Sequence, residues 1–285
     1  MTWTLTDSLA EFRAAAGAFL AAHPAENTVM LTLVDRLAAG SPAGGDPGKP
    51  PRFGWWRPSV GAPVAGAWMQ TPPQPVRLGA MPLEAATELL DVLVDGPELT
   101  GVAGAVGRAR AFAAAWAERS GGRVEVREEQ RLYRLGELAV PAVAGRLRQA
   151  GPADHELLVA WFKAFFVDIN MFSVHRVEEL AARRAANGEL HLWEVEGRPV
   201  ALAGLSPVLA GMTRVGPVYT PPELRTNGYA SAVTAAVSAL AGERGAAQVL
   251  LYANLANPTS NSIYQRIGYR PVEDSVVLGF TPSPS

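Results

Sequence analysis

The chain has 285 residues, of which 48% are hydrophobic, and a formal net charge of −2 from 25 Lys and Arg against 27 Asp and Glu. That is enough apolar material for one large core or two ordinary ones, while the balanced charge without a basic block speaks against a nucleic-acid surface or a polybasic membrane patch. The sequence has no cysteine, which excludes disulfides, thiolate metal sites and a cysteine nucleophile together. No basic-then-apolar leader opens it and no apolar run reaches the ~20 residues of a membrane span, so a cytoplasmic protein, monomer or homodimer, is expected.

In residues 8–20, Leu9, Phe12, Ala16, Phe19 and Leu20 fall near helical spacing behind the capping candidates Thr6, Asp7 and Ser8, which predicts a first helix. A second is expected over 27–39, and the Gly- and Pro-rich stretch 41–51 reads as a loop. Short strands follow over 52–57, 63–70 and 76–80, then a helix over 83–94, a strand over 99–102 and an Ala-rich helix over 107–119. Residues 123–135 alternate in part through Val124, Val126, Leu132, Tyr133 and Leu135, which predicts a long strand. The second half predicts a strand at 146–148, helices over 154–167 and 177–187, and strands over 191–196 and 199–210 about Gly197-Arg198 as a hairpin turn. A strand over 212–220, a helix over 229–244, a strand over 248–252, a helix over 260–267 closed by Gly268 and a strand over 272–280 complete the pattern.

The two halves share an order of elements and a local match. Gly61-Ala62-Pro63-Val64-Ala65 resembles Gly197-Arg198-Pro199-Val200-Ala201, and Met81-Pro82 precedes Thr220-Pro221 by nearly the same offset. A two-fold repeat is therefore expected, with domains at 1–137 and 138–285.

The segment that carries chemistry is Arg225-Thr226-Asn227-Gly228-Tyr229-Ala230, between the strand ending at Thr220 and the following helix. A helix N-terminus offers unpaired N–H groups and the positive end of a dipole, which together suit a pyrophosphate. Gly228 lets the backbone approach a phosphate without a Cβ, and Arg225 can add a charge-assisted bond. By composition alone the same six residues also read as an ordinary loop before a helix.

In context, this Arg-x-x-Gly-x-Ala after Val218-Tyr219-Thr220-Pro221-Pro222 resembles the acetyl-CoA motif of the GNAT N-acetyltransferase superfamily. Asn257-Pro258-Thr259-Ser260-Asn261-Ser262-Ile263-Tyr264-Gln265-Arg266-Ile267-Gly268-Tyr269 resembles its second signature. The likeness covers about residues 146–280, and the first half is more distantly similar to the N-terminal half of two-domain, glycine-acyltransferase-like members. The resemblance implies an α/β fold with an α+β mixed sheet, in tandem GNAT-like domains. Each would be a mostly antiparallel twisted sheet with a splayed central strand pair, flanked by helices. It also implies that Val218, Tyr219 and Thr220 lie along the pantetheine arm of acetyl-CoA. Arg225, Thr226, Asn227, Gly228, Tyr229 and Ala230 would hold its pyrophosphate, Asn257 would bond the pantetheine region, and Tyr264 would serve the leaving thiolate as general acid. On periodicity Tyr264 also fits a core position, beside Ser260, Ile263 and Ile267.

The general base is open. Glu194 and Glu223 are candidates, as are Asp168 and His175, and a water relay is a further route. His191 and the aromatic group Trp161, Phe162, Phe165, Phe166 and Phe172 would either shape an acceptor pocket or pack the core. The expected reaction is direct transfer of acetyl to a primary amine of a small molecule or peptide. A longer-chain, glycine-type N-acyltransferase and a non-catalytic acyl-CoA sensor are the alternatives. No metal is expected, because His23, His155, His175 and His191 lack ligand spacing. In the first half Met81-Pro82 leads straight into Leu83-Glu84-Ala85-Ala86, where Glu84 would repel a phosphate, and the last helix carries Phe112 and Trp116 but no tyrosine. The first half is therefore expected to be degenerate and non-catalytic.

Overall fold

Thr2-Trp3-Thr4-Leu5-Thr6 alternates β-branched and apolar residues, and the computed structural model opens on a strand there, β1 (Thr2–Thr6), which the sequence pattern did not single out. Residues 2–41, 45–46, 48–93, 99–169 and 176–283 are described; Val94, Phe172 and His175 lie outside them. The chain divides into two units. One is Met1–Leu132 with Ala253–Ala256 and Pro271–Ser285, and the other is Tyr133–Tyr252 with Asn257–Arg270.

In the first unit, Ser8 caps α1 (Leu9–Ala22) by accepting the Glu11 N–H at 3.2 Å. After α2 (Thr28–Ala38), strands β2 (Arg52–Arg57) and β3 (Gly66–Gln70) pair antiparallel, and β1 adds to the outer edge of β2. Side chains on a strand alternate between faces, and two cores follow from that. Phe53, Ala67 and Met69 pack on α1 and α2, with Phe12 stacked on Phe53 at 4.9 Å. Trp56 and Trp68 point the other way and join β4 (Val76–Leu78), α3 (Leu83–Leu93), β5 (Gly101–Ala105) and α4 (Val106–Ser120) in a second core. Gly121, left-handed at φ 63°, ends α4. The long strand β6 (Arg123–Leu135) occupies the span that alternation predicts.

The second unit starts its sheet with β7 (Arg146–Gln149), followed by α5 (His155–Asp168), α6 (Val177–Ala186), β8 (Leu190–Val195) and β9 (Arg198–Leu205). The β8–β9 turn is Glu196-Gly197, both with positive φ (50° and 77°), one residue earlier than the sequence suggests. β9 also stops short of residue 210. Ser206 turns its hydroxyl to the Arg214 N–H (2.9 Å) and its carbonyl accepts from the Thr213 hydroxyl (2.7 Å), so side-chain bonds join the main-chain bond from Ser206 N–H to the Arg214 carbonyl (3.0 Å) where the regular strand ends. Then come β10 (Met212–Tyr219), α7 (Tyr229–Glu243), β11 (Gln248–Asn254) and α8 (Pro258–Arg266). The strands of this unit lie in the order β11-β10-β9-β8-β7. Leu158, Trp161 and Phe162 of α5 and Ala181 of α6 pack on Leu190, Leu192, Leu202 and Tyr219.

The last strand, β12 (Tyr269–Thr281), returns to the first unit, where Ser275 pairs opposite Ala105 and Gly279 opposite Gly101, antiparallel to β5. Phe280 stacks on Trp116 at 4.1 Å. The architecture is a mixed α/β one, with mixed sheets flanked by helices. Among the described residues no helix is long and apolar enough to cross a membrane.

Candidate coenzyme site

The site begins with how β10 treats its neighbours. Against β9 it runs antiparallel, with Val215 opposite Leu205, and the register then shifts so that Val218 faces Ala203 and Tyr219 faces Leu202. The shift inserts an extra residue on β10, a bulge that bends the strand carrying it. Against β11 it is parallel only from Met212 opposite Gln248 to Arg214 opposite Leu250, although β10 continues to Tyr219 and β11 to Asn254. Past Arg214 the edge of β10 toward β11 has no strand partner among the described residues, and its main-chain groups are free to pair with an extended ligand.

Beyond Thr220, a 3-10 turn over Pro222–Leu224 leads into the loop before α7. Thr226 and Gly228 are both left-handed, at φ 69° and 79°. The Thr226 hydroxyl donates to the Arg225 carbonyl (2.6 Å), and the Asn227 amide donates to the carbonyls of Leu224 (3.1 Å) and Arg225 (3.2 Å). Gly228 occupies the N-cap and brings no capping side chain. The first helical bond runs from Ala232 N–H to Gly228 O at 3.0 Å, so the N–H groups of Tyr229, Ala230 and Ser231 have no acceptor among the described residues. A Cβ at position 228 would stand 3.0 Å from Val143 Cγ2. Three unpaired donors at a helix start, with no acidic residue in the first turn, make a cradle for an anion.

Arg225 stands differently from expectation. Its Nε donates to the Thr220 carbonyl (3.1 Å) and its Nη2 pairs with Asp168 at the end of α5 (2.5 Å). The cradle is therefore built from main-chain donors, and the guanidinium is engaged beside it.

At α8, the Asn257 side-chain oxygen accepts the Ser260 N–H at 3.0 Å and caps the helix, which leaves the amide nitrogen for other partners. Tyr264 is buried, at 9% exposure, with its ring edge-on to Tyr269 at 6.2 Å. Burial pushes its hydroxyl up to about 12. Tyr269 is in turn hydrogen-bonded to Ser238 of α7 at 2.7 Å. The hydroxyl of Tyr133 donates to Asn261 (2.7 Å) and accepts from Gln265 (3.2 Å), fixing the other side of α8. Sequence reasoning gave neither Tyr133 nor Tyr269 a role. The signal available was that a buried tyrosine needs a partner for its hydroxyl.

Comparison with known proteins agrees with this geometry. The FR47-like protein family matches residues 195–278. No curated protein matches the sequence. Over 99% of this chain and 100% of the other, the fold is similar to a GNAT-family acetyltransferase from Colwellia psychrerythraea (TM-score 0.63, 12% identity). It is also similar to a GCN5-related N-acetyltransferase from Sphaerobacter thermophilus (TM-score 0.60, 15% identity, 99% of this chain and 97% of the other). A Drosophila protein gives a TM-score of 0.70 at 13% identity over 99% of each chain. The chain has the GNAT acetyltransferase fold.

Within this GNAT fold the residues nominated as bases stand in different surroundings. Glu194 is buried and paired with Arg148 (2.5 Å) and Arg146 (3.2 Å). The hydrogen bond from Arg148 above all holds its carboxyl below the usual range, and Arg148 also binds Asp154 at 2.7 Å. A base must take up a proton readily, and this ring of arginines disfavours Glu194 for that task. Asp168 already balances Arg225. His191 is driven down to about 4, first by burial and then by Arg244, which suits a neutral interior imidazole. Glu223 is exposed and has no ion pair among the described residues. Trp161 and Phe162 are buried in the α5 core, while Phe165 and Phe166, ring to ring at 5.6 Å, are half-buried.

Proposed function

We propose that this chain is an acetyl-CoA-dependent N-acetyltransferase, moving acetyl directly to a primary amine of a small molecule or peptide. One juxtaposition carries the reading: the free edge of β10 leads into the uncapped start of α7. A long polar arm ending in a pyrophosphate needs both, an extended strand edge for the arm and a helix N-terminus for the anion.

Acetyl-CoA supplies the acyl group as an activated thioester. The backbone of Val218, Tyr219 and Thr220 would pair with its arm, and the N–H groups of Tyr229, Ala230 and Ser231 would receive the pyrophosphate on a loop shaped by Arg225, Thr226, Asn227 and Gly228. The Asn257 amide would bond the arm from the other side. The Tyr264 hydroxyl, held up to about 12, keeps its proton throughout the neutral range. It binds that proton more tightly than an ordinary thiol, near 8.5, so its task is to donate a strong hydrogen bond at the sulfur more than to part with the proton. Glu223 is proposed to take the proton of the amine, directly or through water. The first unit is proposed to be a non-catalytic relative of the second.

The test is thiol release from acetyl-CoA against a panel of primary amines, with calorimetry for the coenzyme. The panel includes glucosamine, because a fungal glucosamine N-acetyltransferase region is among the similar structures (TM-score 0.57, 14% identity, 98% of this chain and 38% of the other). Release with at least one amine, abolished in Tyr264→Phe, supports the transferase. Tight binding without release by any amine, unaltered in Tyr264→Phe, makes the chain a sensor of acyl-CoA instead.

A further inference from the structure

Arg225 has two claims on its guanidinium. Its loop leads into the cradle at α7, while its Nη2 is bonded to Asp168 at 2.5 Å. Asp168 is the last residue of α5, where the negative end of the helix dipole repels a carboxylate. A cation holds it there. Trp161 lies seven residues earlier on the same helix, about two turns, and so shares its face. Its ring packs on Tyr219 at 5.9 Å. Tyr219 is buried to 6% exposure, and its hydroxyl has no hydrogen bond among the described residues. Asp168, Glu223 and Arg225 all bear electrostatically on that hydroxyl. The buried hydroxyl of the next residue, Thr220, is also unpartnered, while its carbonyl accepts from Arg225. The surroundings thus hold two carboxylates, the Tyr219 hydroxyl, a buried Thr220 hydroxyl with no partner among the described residues, and one guanidinium.

A pyrophosphate carries more charge than one carboxylate and meets three main-chain donors besides, so it competes well for Arg225. We infer that Arg225 exchanges partners on coenzyme binding, leaving Asp168 for the pyrophosphate, and that the vacated Asp168, beside the Tyr219 hydroxyl, receives a cationic group of the acceptor other than the amine that is acetylated. The inference rests on the coenzyme site proposed above. It makes Asp168 a binding residue for the acceptor that stays closed until the coenzyme arrives. By linkage, a cation at Asp168 and coenzyme A at α7 must then strengthen one another.

The experiment measures coenzyme A affinity by calorimetry, with methylguanidinium chloride as a mimic of the arginine head and sodium chloride at equal ionic strength as the control. Breaking a half-exposed ion pair frees Arg225 at modest cost, so Asp168→Asn is expected to bind coenzyme A roughly two- to five-fold more tightly than wild type. Methylguanidinium is expected to tighten wild-type binding by a similar factor and to leave Asp168→Asn unchanged. Asp168→Glu, which keeps the charge, follows wild type and shows that the fold tolerates the position. A merely structural ion pair predicts the reverse: Asp168→Asn binds coenzyme A no better, or worse, and methylguanidinium acts on it as on wild type. Either result overturns the exchange. Failure of wild type to bind coenzyme A at all refutes the coenzyme site itself and is seen in the first titration.

Discussion

Helices α3 and α7 each follow a strand that has a parallel neighbour, and their first turns differ in kind. At α3, Glu84 stands in the first turn and Ala86 N–H reaches Pro82 O at 3.4 Å. The carboxylate answers the helix dipole from within the chain. The strand before it, β4, stays shut against β5: Val76 faces Val102, Arg77 faces Ala103, and a Cβ on Gly104 would lie 3.1 Å from the Leu78 Cβ. At α7 the first turn has no acid, the residue before it is the left-handed Gly228, and β10 parts from β11 after Arg214. A similar order of elements gives a sealed seam in one unit and an open slot in the other. The difference comes from one bulge, one glycine and the absence of one carboxylate, without a change in the order of elements.

The sharpest way to test that contrast is at Tyr264. Tyr264→Phe should lower turnover by about 10²-fold or more while coenzyme affinity stays level by calorimetry; a variant that turns over normally would reduce the slot to a binding site. Gly228→Val places a β-branched residue at a positive φ and against Val143, and should weaken acetyl-CoA binding by about tenfold or more. Gly104→Val in the closed seam should lower the melting temperature and leave coenzyme affinity alone. Calorimetry should also find a single acetyl-CoA per chain, with Glu84→Gln adding none; two equal sites would erase the contrast.

The smallest expected effect concerns acid. His191, in the second unit, has its folded-state affinity for a proton lowered to about 4, against about 6.5 when unfolded. The unfolded chain binds the extra proton between those values, so stability is retained above about 6.5 and lost as pH falls toward 4. Hydrogen exchange in the second unit should quicken over that window, and His191→Phe should flatten the response.

Much of the fold is legible in the sequence because burial follows period. Arg52–Arg57 and Arg123–Leu135 fall where alternation places them. β1 escaped because five residues, mostly exposed, leave too short a pattern. The end of β9 escaped because side-chain bonds of Ser206 and Thr213 close the strand there, which no periodicity records. In the site, the loop from Arg225 to Ala230, the α8 cap Asn257 and Tyr264 within α8 are visible as motifs, and the structure gives each a definite local setting. What could not be read was engagement. Arg225 and Asp168 are 57 positions apart, and Glu194 meets Arg146 only through the β7–β8 register. Whether a charge is free for chemistry depends on such pairings, and sequence spacing is silent about them.

The return of β12 to β5 also sets a schedule for synthesis. The first unit requires residues 271–281, so after residue 132 has been made it waits for about 150 more, roughly 10–30 s at ordinary elongation rates. Through that interval β5 has an unfilled edge and Trp116 lacks the ring of Phe280. An open strand edge is a template for wrong partners. This one reads Gly101-Val102-Ala103-Gly104-Ala105, where all but Val102 are glycine or alanine with little β-propensity, which makes it a poor template for a neighbouring nascent chain. The composition that lets β12 dock late also guards the vacancy until it does.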